Sequence, residues 1–129
     1  MIKLHQIIIL LFFIAFTNQV AAYGTSSSKK ACKKPTFSEF SPPKLTEVKL
    51  QSEFSFIASS TTDPKSIKVT VKKQSVAIKV SEKGNKYLVT GTLPAEIKGA
   101  YARVNINATG TNKCKGNNGW LLKIKTTEK

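Results

Sequence analysis

The sequence predicts an all-β, antiparallel sandwich of about seven strands behind a cleaved N-terminal signal helix. Three observations carry this: short runs in which apolar and polar residues alternate, turn residues that punctuate them at intervals of about eight to twelve positions, and no sustained helical period beyond the first 22 residues.

The signal segment, residues 1–22, opens with Lys3 and His5, continues as an apolar run from Ile7 to Phe16 and ends in the small residues Val20, Ala21 and Ala22, after which cleavage is expected. The apolar run is ten residues long, whereas a membrane span needs about 20, so no transmembrane segment is expected after cleavage. The first cysteine, Cys32, lies too far beyond the cleavage point for a lipid anchor. The chain is therefore expected to be exported, to a periplasmic or an extracellular space.

Residues 23–34 form a flexible basic leader in this reading. Ser26, Ser27, Ser28, Lys29, Lys30, Lys33 and Lys34 leave it too little apolar surface to order itself. A single β-sandwich domain, residues 35–129, follows.

The first strand, around Thr36 to Phe40, is closed by Pro42 and Pro43, which suits an edge strand or a sheet-switching kink because proline cannot donate to a ladder. Leu45 to Val48 is a second short piece. Over Glu53 to Ser59, Phe54, Phe56 and Ala58 share one face while Ser55, Ile57 and Ser59 share the other. Thr61 to Pro64 turns the chain. Ser66 to Lys72 has the cleanest alternation, Ile67, Val69 and Val71 against Lys68, Thr70 and Lys72, and Val76, Ile78 and Val80 repeat it against Ala77, Lys79 and Ser81. Gly84 and Asn85 supply a hairpin turn from which Tyr87 to Thr92 returns. Leu93 to Gly99 is a crossing loop. Ala100 to Ala108 then alternates Ala102, Val104 and Ile106 against Arg103, Asn105 and Asn107, and Trp120 to Lys125 is the last strand. Between these two, Thr109 to Gly119 is expected to be a long loop held by Cys114, with Trp120 beside it as a core anchor.

Leu93, Pro94, Ile97, Gly99 and Tyr101 resemble the stretch that enters the sixth strand of immunoglobulin-like domains, where a corner tyrosine follows a glycine. The resemblance implies an immunoglobulin-like antiparallel β-sandwich. It does not extend to the cysteines: none lies two residues after Tyr101, and no tryptophan occupies the third strand.

Cys32 and Cys114 are the two cysteines of the chain. In an oxidising compartment they are expected to pair, closing a loop of about 80 residues for about 4–5 kcal/mol in the chain-entropy model.

The formal charge of the full chain is +14. The signal segment carries Lys3 as its only charged side chain counted in that sum, so the mature protein stays strongly basic. A field of that sign draws anionic partners: an acidic glycan, a lipid headgroup, an acidic protein surface or nucleic acid. Of the 21 basic residues only Arg103 is an arginine. Lysines attract diffusely, whereas arginine offers a planar fork. If strands 66–72, 76–81, 100–108 and 120–125 share one sheet, Lys68, Lys72, Lys79, Arg103, Lys123 and Lys125 form a basic ligand-binding face. The alternative use of those lysines is to keep a sheet soluble and its edges unpaired. Single-stranded nucleic acid is disfavoured, because Tyr87 and Tyr101 are assigned to other strands or to the opposite face and leave no aromatic platform for bases.

No catalytic residue, metal site or cofactor is expected. The only histidine, His5, belongs to the signal segment, which excludes a histidine-dependent triad. The acids are spread singly, and no glycine-rich phosphate loop joins a strand to a helix. Asn107, Ala108 and Thr109 form a glycosylation sequon, which we read as a chance occurrence. The function expected is that of an exported, noncatalytic binding or accessory protein whose basic surface meets an anionic partner. The alternatives are an assembly module that pairs through edge strands and an accessory subunit of an exported enzyme.

Overall fold

The computed structural model describes residues 31–126. The signal segment and leader residues 23–30 lie outside the described residues, as does Glu128. Nine strands follow in order: β1 Phe37–Ser41, β2 Glu47–Val48, β3 Glu53–Ala58, β4 Lys68–Val71, β5 Gln74–Val76, β6 Ile78–Lys83, β7 Lys86–Thr92, β8 Tyr101–Thr109 and β9 Lys115–Ile124. They make two sheets, one ordered β1-β3-β7-β6 and the other β2-β9-β8-β4-β5. These are the A-B-E-D and G-F-C-C′ sheets of an immunoglobulin-like sandwich, with the short β2 added in parallel to β9.

The proline pair does both things its chemistry allows. β1 is an edge strand of the four-stranded sheet, and past Pro42 and Pro43 the chain reappears as β2 on the other sheet. The β6–β7 hairpin turns on Gly84 and Asn85, with Lys83 paired to Lys86 and Gly84 at a φ of 63°. Glycine reaches that conformation without a Cβ penalty.

The inward residues of both sheets form one core: Phe54, Phe56 and Val89 from one side, Val71, Val104, Ile106 and Leu122 from the other, all essentially inaccessible to water. Trp120 lies at its centre. Its ring is 4.8 Å from that of Phe40, 6.0 Å from Phe54 and 6.2 Å from Phe56. Its indole N–H donates to the Pro42 carbonyl at 2.9 Å, so the aromatic anchor also fixes the sheet switch. Immunoglobulin domains place their tryptophan on the third strand; here the last strand supplies it. Across β3 and β7, Gly91 makes room for the Phe54 ring that covers it.

Two expectations about the strands are corrected. Val76 to Ser81 is not one strand. β5 ends at Val76, pairing with β4, and β6 starts at Ile78, pairing with β7, so the chain changes sheet at Ala77. Alternation runs unbroken through the change because Val76, Ile78 and Val80 all face the shared core. Second, Thr109 to Gly119 is mostly strand. β8 and β9 pair from Thr109 and Lys115 to Tyr101 and Lys123, leaving only Gly110 to Cys114 as the connection. The Gly-Asn-Asn-Gly run has poor strand propensity, and continuous cross-strand pairing overrides it.

Cys32 and Cys114 form the disulfide, their Cα atoms 5.3 Å apart. The end of the leader is thereby held against the β8–β9 connection. Lys33 bridges Thr111, and Pro35 occupies the space that side chains at positions 110 and 116 would need, which accounts for Gly110 and Gly116.

Candidate functional site

Directly opposed residues of antiparallel strands project to the same side of a sheet. Since Val69, Val104, Ile106, Trp120 and Leu122 point into the core, the alternate positions of β4, β8 and β9 point out. The register arranges them in rows. Lys115 lies opposite Thr109, Asn117 opposite Asn107, Gly119 opposite Asn105, Leu121 opposite Arg103 and Lys123 opposite Tyr101. On the far side of β8, Lys68 lies opposite Asn107 and Thr70 opposite Asn105. Beside Lys123, Glu47 borders the face from β2.

Of the six residues expected to form a basic face, Lys68, Arg103 and Lys123 lie on it. Lys125 follows β9 directly and is exposed. Lys72 sits at the rim, in the β4–β5 turn, where it and Lys73 adopt φ values of 51° and 65°. Its ammonium lies 3.7 Å from the position a side-chain carbon on Gly99 would take, over the β7–β8 loop rather than over the sheet. Lys79 belongs elsewhere. It is on β6, paired with Thr90 of the four-stranded sheet, and faces away from the core on the opposite side of the sandwich. The sheet change at Ala77 carries it there. Lys115 is a basic residue of the face that the sequence reading missed, because Gly116 to Gly119 concealed a strand.

Tyr101 is also corrected. It is not on the opposite face: it shares the outer side of β8 with Arg103 and is 47% exposed. It therefore does not act as a buried corner tyrosine, and the face has one aromatic ring. The disfavouring of single-stranded nucleic acid loses this premise.

The best-defined geometry is at Arg103. Its Nε donates to Asn105 Oδ1 at 3.0 Å, which lays the guanidinium along the strand. Across the ladder, a Cβ on residue 119 would press on the Val104 carbonyl and stand 3.3 Å from Arg103 Nε, so glycine there lets β8 and β9 close and the guanidinium lie flat. Gly119→Ala is expected to cost about 1–3 kcal/mol by overpacking and to free Arg103 from Asn105. Thermal melting and the amide shifts of β8 check this; an unchanged spectrum around Arg103 would remove the role given to Gly119.

Two shallow depressions lie along this face. One, of about 450 Å³, is lined by Thr70, Arg103, Asn105, Asn107 and Asn117, among others. The other, of about 530 Å³, shares Asn107 and Asn117 and adds Ser66, Lys68, Thr109 and Lys115.

Charge is divided unequally between the sheets. The strands of the four-stranded sheet carry Lys79, Lys83 and Lys86 against Glu39, Glu53 and Glu82, and balance. Those of the five-stranded sheet carry Lys68, Arg103, Lys115 and Lys123 against Glu47 alone. Among the described residues, no group of three or more His, Cys, Asp or Glu comes together as a metal site.

No protein-family model matches the chain, and no curated protein matches it in sequence. Solved structures do match in fold. CopC from Methylosinus trichosporium OB3b superposes with a TM-score of 0.54 at 11% identity, over 74% of this chain and 97% of that one. The Siglec domain of GspB superposes with a TM-score of 0.52 at 16% identity, over 72% of this chain and 58% of that one. The N-terminal Ig1-2 module of the Drosophila receptor protein tyrosine phosphatase DLAR has a TM-score of 0.46 at 16% identity, over 75% and 52%. At these identities the likeness to CopC and to the GspB Siglec domain is one of fold, and the strand order above makes this chain an immunoglobulin-like β-sandwich.

Proposed function

We propose that this protein is a small exported, noncatalytic binding or accessory protein that meets an anionic macromolecule across the outer face of its five-stranded sheet. The observation that carries this is the charge division: one sheet is balanced, and the other presents Lys68, Arg103, Lys115 and Lys123 with one acid at its border. Each sheet carries three lysines, so the division is made by the acids, three on the strands of the balanced sheet and one on those of the other, together with Arg103. Export is supported by the pattern of residues 1–22 and by the Cys32–Cys114 disulfide, which suits a periplasmic or extracellular space. Noncatalytic binding is supported by the lack of histidine after residue 5.

The sheet edges favour this reading over assembly by strand addition. β2 and β5 have two and three residues, and β1 is interrupted by a register shift and followed by prolines. β6, the longest edge, carries Lys79, Glu82 and Lys83, which discourage pairing.

The test compares two triple charge reversals. Lys68, Lys115 and Lys123 to Glu changes the proposed face; Lys79, Lys83 and Lys86 to Glu makes the same change of charge on the other sheet. At about 0.5 kcal/mol per exposed contact, the first is expected to weaken binding to an immobilised polyanion at physiological salt by about tenfold more than the second. Equal losses would leave only nonspecific attraction and defeat the proposal.

A further inference from the structure

We propose that the Arg103 depression is a subsite for a carboxylated sugar, so that the anionic partner is an acidic polysaccharide rich in uronate units; this rests on the binding-face reading above.

Arg103 is already oriented. With Nε committed to Asn105 Oδ1 at 3.0 Å, the N–H groups that remain are those of the two terminal nitrogens, which point along the fork that a carboxylate accepts bidentately. Gly119 keeps the floor beneath the guanidinium clear. A guanidinium held before its ligand arrives loses less freedom on binding than a free one.

The lining identifies the rest of the ligand. Asn107, Asn117 and Thr70 surround the arginine, and amides and hydroxyls both donate and accept hydrogen bonds. A phosphate or sulfate group accepts only and would use half of that capacity. A sugar ring carries hydroxyls that donate and accept, and uses all of it. Tyr101, two residues along β8 on the same face and half exposed, adds an apolar ring surface against which the C–H face of a sugar can rest.

Other anions fit less well. An acidic protein would need a cluster of apolar anchors at the centre of its interface, and the outer positions of β4, β8 and β9 offer Tyr101 and the half-buried Leu121 alone. Single-stranded nucleic acid would need a series of aromatic platforms, and one ring is present.

The second depression extends the subsite into a track. It shares Asn107 and Asn117 with the first and brings Lys68 and Lys115 to its sides. A polysaccharide lying along β8 and β9 would place one carboxylate at Arg103 and others near these lysines. The paired strands from Lys115 to Lys123 span about 27 Å at the usual rise per residue, long enough for several sugar rings.

The experiment measures binding of the disulfide-bonded mature protein, at physiological salt, to polygalacturonate, alginate and hyaluronate, to methyl-esterified polygalacturonate and to dextran sulfate. Binding to at least one of the three uronate polymers, with none to the neutral ester, is expected. Arg103→Lys, which keeps the charge and loses the fork, is expected to weaken uronate binding by about tenfold while changing dextran sulfate binding by less than about threefold. Asn117→Ala, an exposed change, is expected to reduce uronate binding selectively as well. Binding to none of the three uronate polymers, a preference for dextran sulfate, or an Arg103→Lys protein that binds uronate as the parent does would each overturn the subsite. If Arg103→Lys is neutral while reversal of Lys68, Lys115 and Lys123 abolishes binding, the face stands and the subsite falls. If neither change matters, both fall.

Discussion

Replacing Trp120 by alanine is expected to destabilise the domain by about 3–5 kcal/mol, the cost of emptying a large aromatic site in a packed core. The ring touches Phe40, Phe54 and Phe56, which come from β1 and β3 of the opposing sheet, so its removal opens the centre of the sandwich and not its margin. The Pro42 carbonyl would also lose its donor. For a domain of this size the melting temperature should fall by on the order of 20 °C. Trp120→Phe separates the two contributions. Keeping most of the ring while deleting the N–H should cost only about 1–2 kcal/mol. If phenylalanine and alanine prove equally damaging in denaturant titrations, the hydrogen bond to the sheet switch is the anchor, and packing is secondary.

Loss of the disulfide is expected to cost nearly as much. Cys32 and Cys114 are separated by 82 residues, and opening a loop of that length returns about 4–5 kcal/mol of conformational freedom to the unfolded chain. The native state also loses something: with the covalent tie gone, the Lys33–Thr111 bridge, the seating of Pro35 by Gly110 and Gly116 and a long hydrogen bond from the Asn112 amide to the Ala31 carbonyl are left to hold the leader to the β8–β9 connection. Reduction by dithiothreitol, or the double change of Cys32 and Cys114 to Ser, should lower the melting temperature to a similar extent. Limited proteolysis of the reduced protein should cut first near residues 31–35. A shift of only a degree or two would mean that the unfolded chain gains little freedom from the opening.

Both effects arise at positions the sequence already marks. A lone tryptophan at the head of an apolar run and an even cysteine count behind a signal segment are strong statements about burial and pairing. The proposed binding face was only half legible. Lys68, Arg103 and Lys123 follow from counting alternate positions along their strands. Tyr101 obeys the same parity as Arg103 and could have been placed by it. Lys115 gave no such signal, since a Gly-Asn-Asn-Gly run next to it has the composition of a turn. Neither did the pairing of Arg103 with Asn105 above Gly119, which depends on two strands meeting in one register.

Tyr101 apart, the sequence by itself determined which residues of the alternating strands face inward, where the β6–β7 hairpin turns, which cysteines pair and that the architecture is an immunoglobulin-like sandwich. Alternation suffices for this because the burial of a strand face has a period of two whatever its neighbours are. Only the tertiary structure decided which sheet each strand joins. Lys79 and Lys68 follow equally clean alternations, yet the crossing at Ala77 puts them on opposite sides of the molecule. A strand that changes sheet keeps its apolar side toward the same core, so the change leaves no trace in the pattern of residues, and the location of the proposed basic face is a property of the assembled sandwich.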